Sequence, residues 1–544
     1  MQTLEKIAPF VNEDIRSFAD PVDVASIEAA LEAARATHGR HYPVVIGGKE
    51  LETAAQIVSR NPAHPSDVVG TVGSASLEQA TLAIETAAGA FESWRRVAPA
   101  DRAKVLFDAA AAIRRRRDEF NALLVLEVGK SWIEADADTA EAIDFLEFYA
   151  REALRYANPP ALTPIAGEDN RLEYIPLGVG VVIPPWNFAF AIMAGMTTAA
   201  LVAGNTVVLK PSSDSPVIAA VFVQLLHDAG LPPGVVNFIP GSGRTIGDAI
   251  VAHPKTRFVA FTGSKEVGLH INELASKTQP GQIWIKRVIA EMGGKDSIVV
   301  AADADLDAAA DGVVASAFGF QGQKCSACSR AIVDASVYDA LEKKIVERVA
   351  KISVGDPSQR GIYMGPVINE GAMNTILGYV EKGTAEGGRL IAGGKRAPGE
   401  GYFVEPTVIA DVAPDATISQ EEIFGPVLAL IKAEDFDDAL AIANNTEFGL
   451  TGALYSRDDA KLERARDEFH VGNLYFNRKC TGAMVGSHPF GGFNMSGTDS
   501  KAGGYDYLML FTQAKMISKK IGPSTGSGQA PPTGSGQAPP RNGA

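Results

Sequence analysis

A chain of 544 residues, 46% of them hydrophobic, is too long for one ordinary domain and can bury a large core. Its formal net charge of −15 argues against a nucleic-acid surface, which needs concentrated Lys and Arg. Three cysteines are too few for a disulfide framework and point to a reducing, cytoplasmic setting.

In chain order, Met1 to Asp20 is acidic and lacks the apolar core of a secretory signal. Residues 1 to about 150 read as mostly helical and acidic, packing onto the first α/β domain. The basic run Arg114 to Arg117 lies between apolar helix formers and Asp118-Glu119, and reads as a solvated helix face. From Gly178 the pattern alternates: strand Val179 to Ile183, helix Phe188 to Ala203, strand Asn205 to Lys210, helix Pro216 to Ala229. Strand Val235 to Ile239, a helix opening near Gly243 and strand Arg257 to Phe261 continue it. Such βαβ alternation predicts a parallel sheet covered by helices on both faces. The Phe188 to Ala203 stretch is short for a membrane span and contains Gly195, Thr197 and Thr198, so a buried helix is expected.

A second alternating series runs from Ser297 to Ala301 through to Gly472 to Phe476 and contains a candidate nucleophilic thiol. The first series therefore reads as a cofactor domain and the second as a catalytic domain. At the C-terminus, Thr-Gly-Ser-Gly-Gln-Ala-Pro-Pro occurs twice in tandem, at 525–532 and 533–540. Residues 522–544 hold no apolar side chain larger than Ala or Pro and are expected to be a disordered tail.

The thiol is Cys325, in Gln321-Gly322-Gln323-Lys324-Cys325-Ser326-Ala327-Cys328-Ser329-Arg330, and 34 residues earlier Glu291 opens Glu291-Met292-Gly293-Gly294-Lys295. A thiol that attacks a carbonyl and a carboxylate that activates water are what an acyl-enzyme route needs. Cys325-x-x-Cys328 also permits a redox or metal reading. No second pair or His cluster completes a zinc site, so no metal is expected, and Cys328 and Cys480 read as structural. Asn187 can cap the helix at Phe188, donate its amide to an oxyanion, or do both. In parallel sheets, ligands bind beyond the carboxyl ends of strands. Pro184-Pro185-Trp186-Asn187, Lys210-Pro211-Ser212-Ser213 and Phe261-Thr262-Gly263-Ser264 sit at those ends. Gly241-x-Gly243-x-x-x-Gly247 resembles a dinucleotide fingerprint with altered spacing, and Gly263-Ser264 is a second candidate phosphate cradle.

These residues together resemble the aldehyde dehydrogenase superfamily over roughly residues 40 to 515. Within it the chain is most similar to the L-glutamate γ-semialdehyde (1-pyrroline-5-carboxylate) dehydrogenase family. Gln323 to Arg330, Thr481 to Gly486 and Pro489 to Thr498 carry that narrower match. The resemblance implies an α/β fold with a Rossmann-like cofactor domain (1–155 and 176–290), an α/β catalytic domain (291–504) and a small β oligomerisation element (156–175 and 505–521). It implies Cys325 as nucleophile, Glu291 as general base, and Asn187 with the Cys325 N–H as oxyanion hole. NAD contacts would come from Ile183, Trp186, Lys210, Ser213, Gly243, Gly263, Ser264, Glu422 and Phe424. Ser326, Gly482 and Ala483 would hold the substrate's α-carboxylate, with Phe188 and Phe490 flanking its chain and Glu141 nearby. Ser213 stands where many NAD-specific relatives carry a carboxylate, so NADP use stays open. The resemblance further implies a homo-oligomer, built partly from the strand-like segment Tyr507 to Ile517 and a counterpart near Ala161 to Ile175, and a small-molecule substrate supplied by a separate proline dehydrogenase. Neither nucleic acid nor membrane is an expected partner. Two rival readings remain: a dehydrogenase for another semialdehyde such as succinate semialdehyde, and a catalytically silent binding protein on the same fold.

Overall fold

The computed structural model describes residues 7–521; the expected tail, 522–544, lies outside them. Two seven-stranded sheets organise the chain. The first holds Arg287–Glu291, Thr256–Thr262, Val179–Ile183, Thr206–Leu209 and Val236–Phe238 in that spatial order, all parallel. The central strands are continuous apolar runs because helices cover both faces.

An antiparallel hairpin, Val44–Ile46 with Lys49–Leu51, extends that sheet beyond Val236–Phe238. Its turn is Gly47-Gly48, with φ +63° and +73°, the left-handed pair a two-residue turn needs. Next to it, Arg40–Tyr42, His64–Ser74 and Ala55–Asn61 form a three-stranded sheet. The expectation of a mostly helical N-terminal part is therefore corrected over residues 40–74. These strands are short or half-exposed, so their apolar pattern is weak. The run Arg114 to Arg117 is solvent-exposed at Arg114 and Arg115, as expected, but not at Arg117. It spans the junction of helices Pro99–Arg115 and Arg117–Val128, and Arg117 pairs at 2.6 Å with the fully buried Asp136.

The second sheet runs Arg389–Ala392, Thr407–Ala410, Val427–Ala433, Arg330–Asp334, Ser297–Val300, Thr451–Tyr455, Asn473–Phe476; only the first strand is antiparallel to its neighbour. Separate apolar clusters pack on its two faces. The chain passes from the carboxyl end of the first sheet, at Glu291, to the amino end of the second, at Ser297, through five residues, 292–296. Register aligns Ile183, Leu209, Phe238, Thr262 and Glu291 along one edge of the first sheet. The facing edge of the second sheet carries Cys325 to Ser329, just before strand Arg330–Asp334. The site forms where these edges meet.

Glu168–Pro176 and Thr512–Lys520 pair antiparallel over nine residues as a separate two-stranded, largely exposed arm. Tyr507–Phe511 is a buried 3₁₀ turn rather than part of the strand, because Tyr507, Leu508 and Phe511 fill the first core. Among the described residues, no helix is long and apolar enough to cross a membrane.

Candidate active site

Cys325 follows three consecutive left-handed residues, Phe320 (φ +47°), Gln321 (+58°) and Gly322 (+68°). Such a conformation costs a non-glycine residue about 1–3 kcal/mol and persists only where the surroundings impose it. Here they do. Gln321 Nε2 donates to the carbonyls of Gly129 at 3.0 Å and Pro366 at 2.8 Å. Gly322 presses on the Gly425 backbone, leaving no room for a Cβ. Gln323 Oε1 accepts the Ile368 N–H at 2.9 Å. Lys324 Nζ reaches both oxygens of Glu134 at 2.8 Å.

Asn187 Nδ2 donates to the Gln323 carbonyl at 3.0 Å, which ties the loop after Ile183 to the nucleophile turn. Asn187 does not cap the following helix, as the sequence allowed. That helix is Ala191–Val202, three residues later than expected, and Asp138 Oδ1 accepts the Ala191 N–H at 2.7 Å. One Asn187 amide N–H is taken by the Gln323 carbonyl, and the other has no protein partner among the described residues.

Glu291 ends the edge strand. Its carboxyl accepts from the Ser500 hydroxyl, lies against Gly491 and Gly497, and leaves Oε2 buried without a partner. Burial, offset only partly by Ser500 and Lys501, pushes its pKa up to about 8. Burial also raises the Cys325 thiol well above its ordinary value, reinforced by the carboxyls of Asp296, Glu422 and Glu291. Gly294 approaches the Cys325 carbonyl too closely to carry a Cβ, and its N–H donates to Glu422 Oε1 at 3.0 Å. The Gly293-Gly294 pair therefore lets the nucleophile loop, the Glu291 strand and Glu422 converge.

The carboxyl edge of the first sheet holds the proposed dinucleotide contacts. Lys210 is 7% exposed, and its ammonium reaches only the Pro211 carbonyl, at 3.4 Å. Burial lowers its pKa to about 8. A buried ammonium without a carboxylate fits a hydroxyl-rich ribose. Ser213, Gly243 and Ser264 lie exposed beyond the strand ends, and Ser264 caps helix Lys265–Ser276 by accepting from Val267 N–H at 3.4 Å. Gly243 opens a π-helical turn, Gly243–Gly247. The Trp186 ring packs edge-on against Phe424 at 5.6 Å and Phe320 at 6.5 Å, bridging the two sheets.

The opposite side holds the proposed substrate contacts. Cys480 Sγ donates to the Ser326 carbonyl at 3.4 Å, so the Thr481-Gly482-Ala483 loop is fixed to the residue after Cys325. Gly482 is left-handed at φ +77°. The hydroxyl of Ser326 has no protein partner among the described residues. Phe490 pairs its backbone with Ala502 and leads into Gly491, against Glu291. Phe188 lies over Lys130. Glu141 is half-buried beside Asp138, with Lys130 and Lys324 within electrostatic reach, and desolvation lifts its pKa to about 8. Sequence reasoning missed Ser500, Lys130 and the basic pair Arg478-Lys479. Lys479 lies beside Lys324 and Glu134, and Arg478 donates to the Thr481 and Gly482 carbonyls at 2.9 and 3.2 Å. Arg478-Lys479 abuts the Thr481 to Gly486 motif, a signal that could have found it. Ser500 and Lys130 carry no local signal.

Residues 50–517 match the family model described as the aldehyde dehydrogenase family. The chain belongs to the aldehyde dehydrogenase family. A 1-pyrroline-5-carboxylate dehydrogenase of Geobacillus thermodenitrificans is 58% identical over 513 residues, 94% of this chain and 99% of the relative. The solved structure of a 1-pyrroline-5-carboxylate dehydrogenase from Thermus with bound NAD superposes with a TM-score of 0.93 at 50% identity, covering 95% of this aldehyde dehydrogenase and 100% of that chain. Proline utilization A from Bdellovibrio bacteriovorus gives the same TM-score, 0.93, at 44% identity, over 94% of this chain and 53% of that one.

Proposed function

We propose that this chain is an NAD-dependent dehydrogenase that oxidises L-glutamate γ-semialdehyde, the open form of 1-pyrroline-5-carboxylate, to L-glutamate in proline breakdown. The observation that carries the substrate reading is the Cys480–Ser326 hydrogen bond. It makes the nucleophile turn and the Gly482-Ala483 loop one unit, so the aldehyde and the α-carboxylate of a single small molecule can be fixed together. The full-length identity to 1-pyrroline-5-carboxylate dehydrogenases supports it.

The Cys325 thiol gives its proton to solvent water, its sulfur bonds to the aldehyde carbon, and the carbonyl oxygen takes the charge. Asn187 Nδ2 and the Cys325 N–H stabilise that oxyanion. The chemistry that bound NAD would supply is acceptance of a hydride from that carbon, which would leave a thioester on Cys325. Lys210, Ser213, Gly243, Gly263, Ser264, Ile183, Trp186, Glu422 and Phe424 would hold it. Glu291 then takes a proton from water, whose oxygen attacks the thioester carbon; the C–S bond breaks and L-glutamate leaves. Ser326 and the N–H groups of Gly482 and Ala483 hold the α-carboxylate, Phe188 and Phe490 enclose the methylenes, and Glu141 lies at the pocket wall.

The same reading assigns 1–155 and 176–290 to cofactor binding, 291–504 to catalysis, and the arm in 156–175 and 505–521 to a homo-oligomer. It sets the enzyme in the cytoplasm beside a separate proline dehydrogenase. Comparing NADH formation with glutamate semialdehyde, succinate semialdehyde and propanal tests the reading. Highest kcat/KM with glutamate semialdehyde is expected; preference for another aldehyde reassigns the substrate, and inactivity with all refutes catalysis.

A further inference from the structure

Lys130 is the group outside the expected site with the most unusual surroundings. It follows Gly129, whose φ of +74° ends helix Arg117–Val128 and turns the chain inward. The Lys130 side chain and that of its partner Asp138 are both 0% exposed, and the two pair at 2.9 Å. The ammonium also lies 4.2 Å from the Phe188 ring centroid and 4.5 Å from that of Phe320. A desolvated ammonium between two aromatic faces adds cation–π attraction to the ion pair.

Each of these partners leads to the reacting centre by a separate route. Phe320 is the first left-handed residue of the nucleophile turn. Phe188 is adjacent to Asn187, and Asp138 caps the helix that begins at Ala191. Gly129, next to Lys130, accepts from Gln321, the second left-handed residue. A buried charge pair is a weak source of stability alone, since well-packed apolar residues of similar volume commonly serve as well. One ammonium touching both the oxyanion loop and the nucleophile turn does something that apolar packing cannot: it holds two planar rings and a carboxylate at fixed directions.

We infer that Lys130 is a positioning residue for acylation, setting the distance between the Asn187 amide and the Cys325 sulfur through Phe188, Phe320 and Asp138. The inference rests on the acyl-enzyme reading above, but not on the identity of the aldehyde.

The test is the double variant Lys130→Met/Asp138→Asn, which removes both charges together and keeps an acceptor for the Ala191 N–H. With any aldehyde the wild type oxidises, the rate of the first-turnover NADH burst should fall about 10- to 100-fold, the scale set by misplacing a reacting group. NAD affinity, KM and melting temperature should stay near wild type. Phe320→Leu, which leaves the ion pair in place, should slow the burst in the same direction. A folded double variant that binds NAD and keeps the wild-type burst overturns the inference. If the double variant does not fold, a wild-type burst in Phe320→Leu overturns it. A burst lost with every aldehyde in the wild type itself would instead refute the acyl-enzyme reading.

Discussion

The side-chain amide of Asn187 and the main-chain carbonyl of Gln323 are joined at 3.0 Å, two residues before Cys325. The first sheet thereby hands a hydrogen-bond donor to the Cys325 turn of the second.

If that donor meets the developing oxyanion, Asn187→Ala should lower kcat by about 10²- to 10³-fold. NAD binding, measured by fluorescence titration, should hardly change. A kcat within a few-fold of wild type would remove Asn187 from the oxyanion hole.

Glu291 gives the pH dependence. Its folded pKa is raised to about 8 by burial, so the base is protonated at pH 7 and free above pH 8. Steady-state turnover limited by deacylation should rise between pH 7 and 9, while the NADH burst amplitude stays flat. The same shift acts on stability with opposite sign. The folded chain holds a proton that the unfolded chain releases near the ordinary carboxylate value, so stability from this group falls as pH rises toward 8. Melting temperature of Glu291→Gln should lose that component between pH 4.5 and about 8.

The fold was legible where periodicity was strong. The strands from Val179 to Phe261 lie within a residue or two of their expected positions, because these buried parallel strands are short, mostly apolar runs rich in β-branched residues. The hairpin at Gly47-Gly48 carries its own turn signal, but its strands have three residues each, too few to show an alternation. The site was legible where chemistry sits in one segment, as around Cys325. It was not legible where the partner comes from far along the chain. Ser500 reaches Glu291 across 209 residues, and Asp138 reaches Ala191 across 53. Asn187 reads as a cap in sequence because nothing local reveals that Asp138 has taken that place.

Ser326→Ala separates substrate anchoring from superfamily chemistry. A hydrogen bond to a charged group is worth roughly 1.5–3 kcal/mol, so kcat/KM for glutamate semialdehyde should drop about ten- to a hundred-fold. Propanal, which has no carboxylate, should be almost unaffected. Equal losses on both would assign Ser326 to positioning of Cys325.

Ser213 is exposed at the end of strand Thr206–Leu209, where the adenosine ribose would lie. Ser213→Glu should weaken NADP far more than NAD, because a carboxylate repels a 2′-phosphate. Equal effects on the two cofactors would set Ser213 apart from the ribose.

The most direct test of the central claim is to trap the acyl-enzyme. Glu291→Gln should consume glutamate semialdehyde and NAD in a single burst of NADH and then nearly stop, since acylation needs no water and deacylation has lost its base. Peptide mapping by mass spectrometry at that point should find the glutamyl group as a thioester on Cys325, and none on Cys328 or Cys480. Linear NADH formation with an unmodified Cys325 would contradict the account.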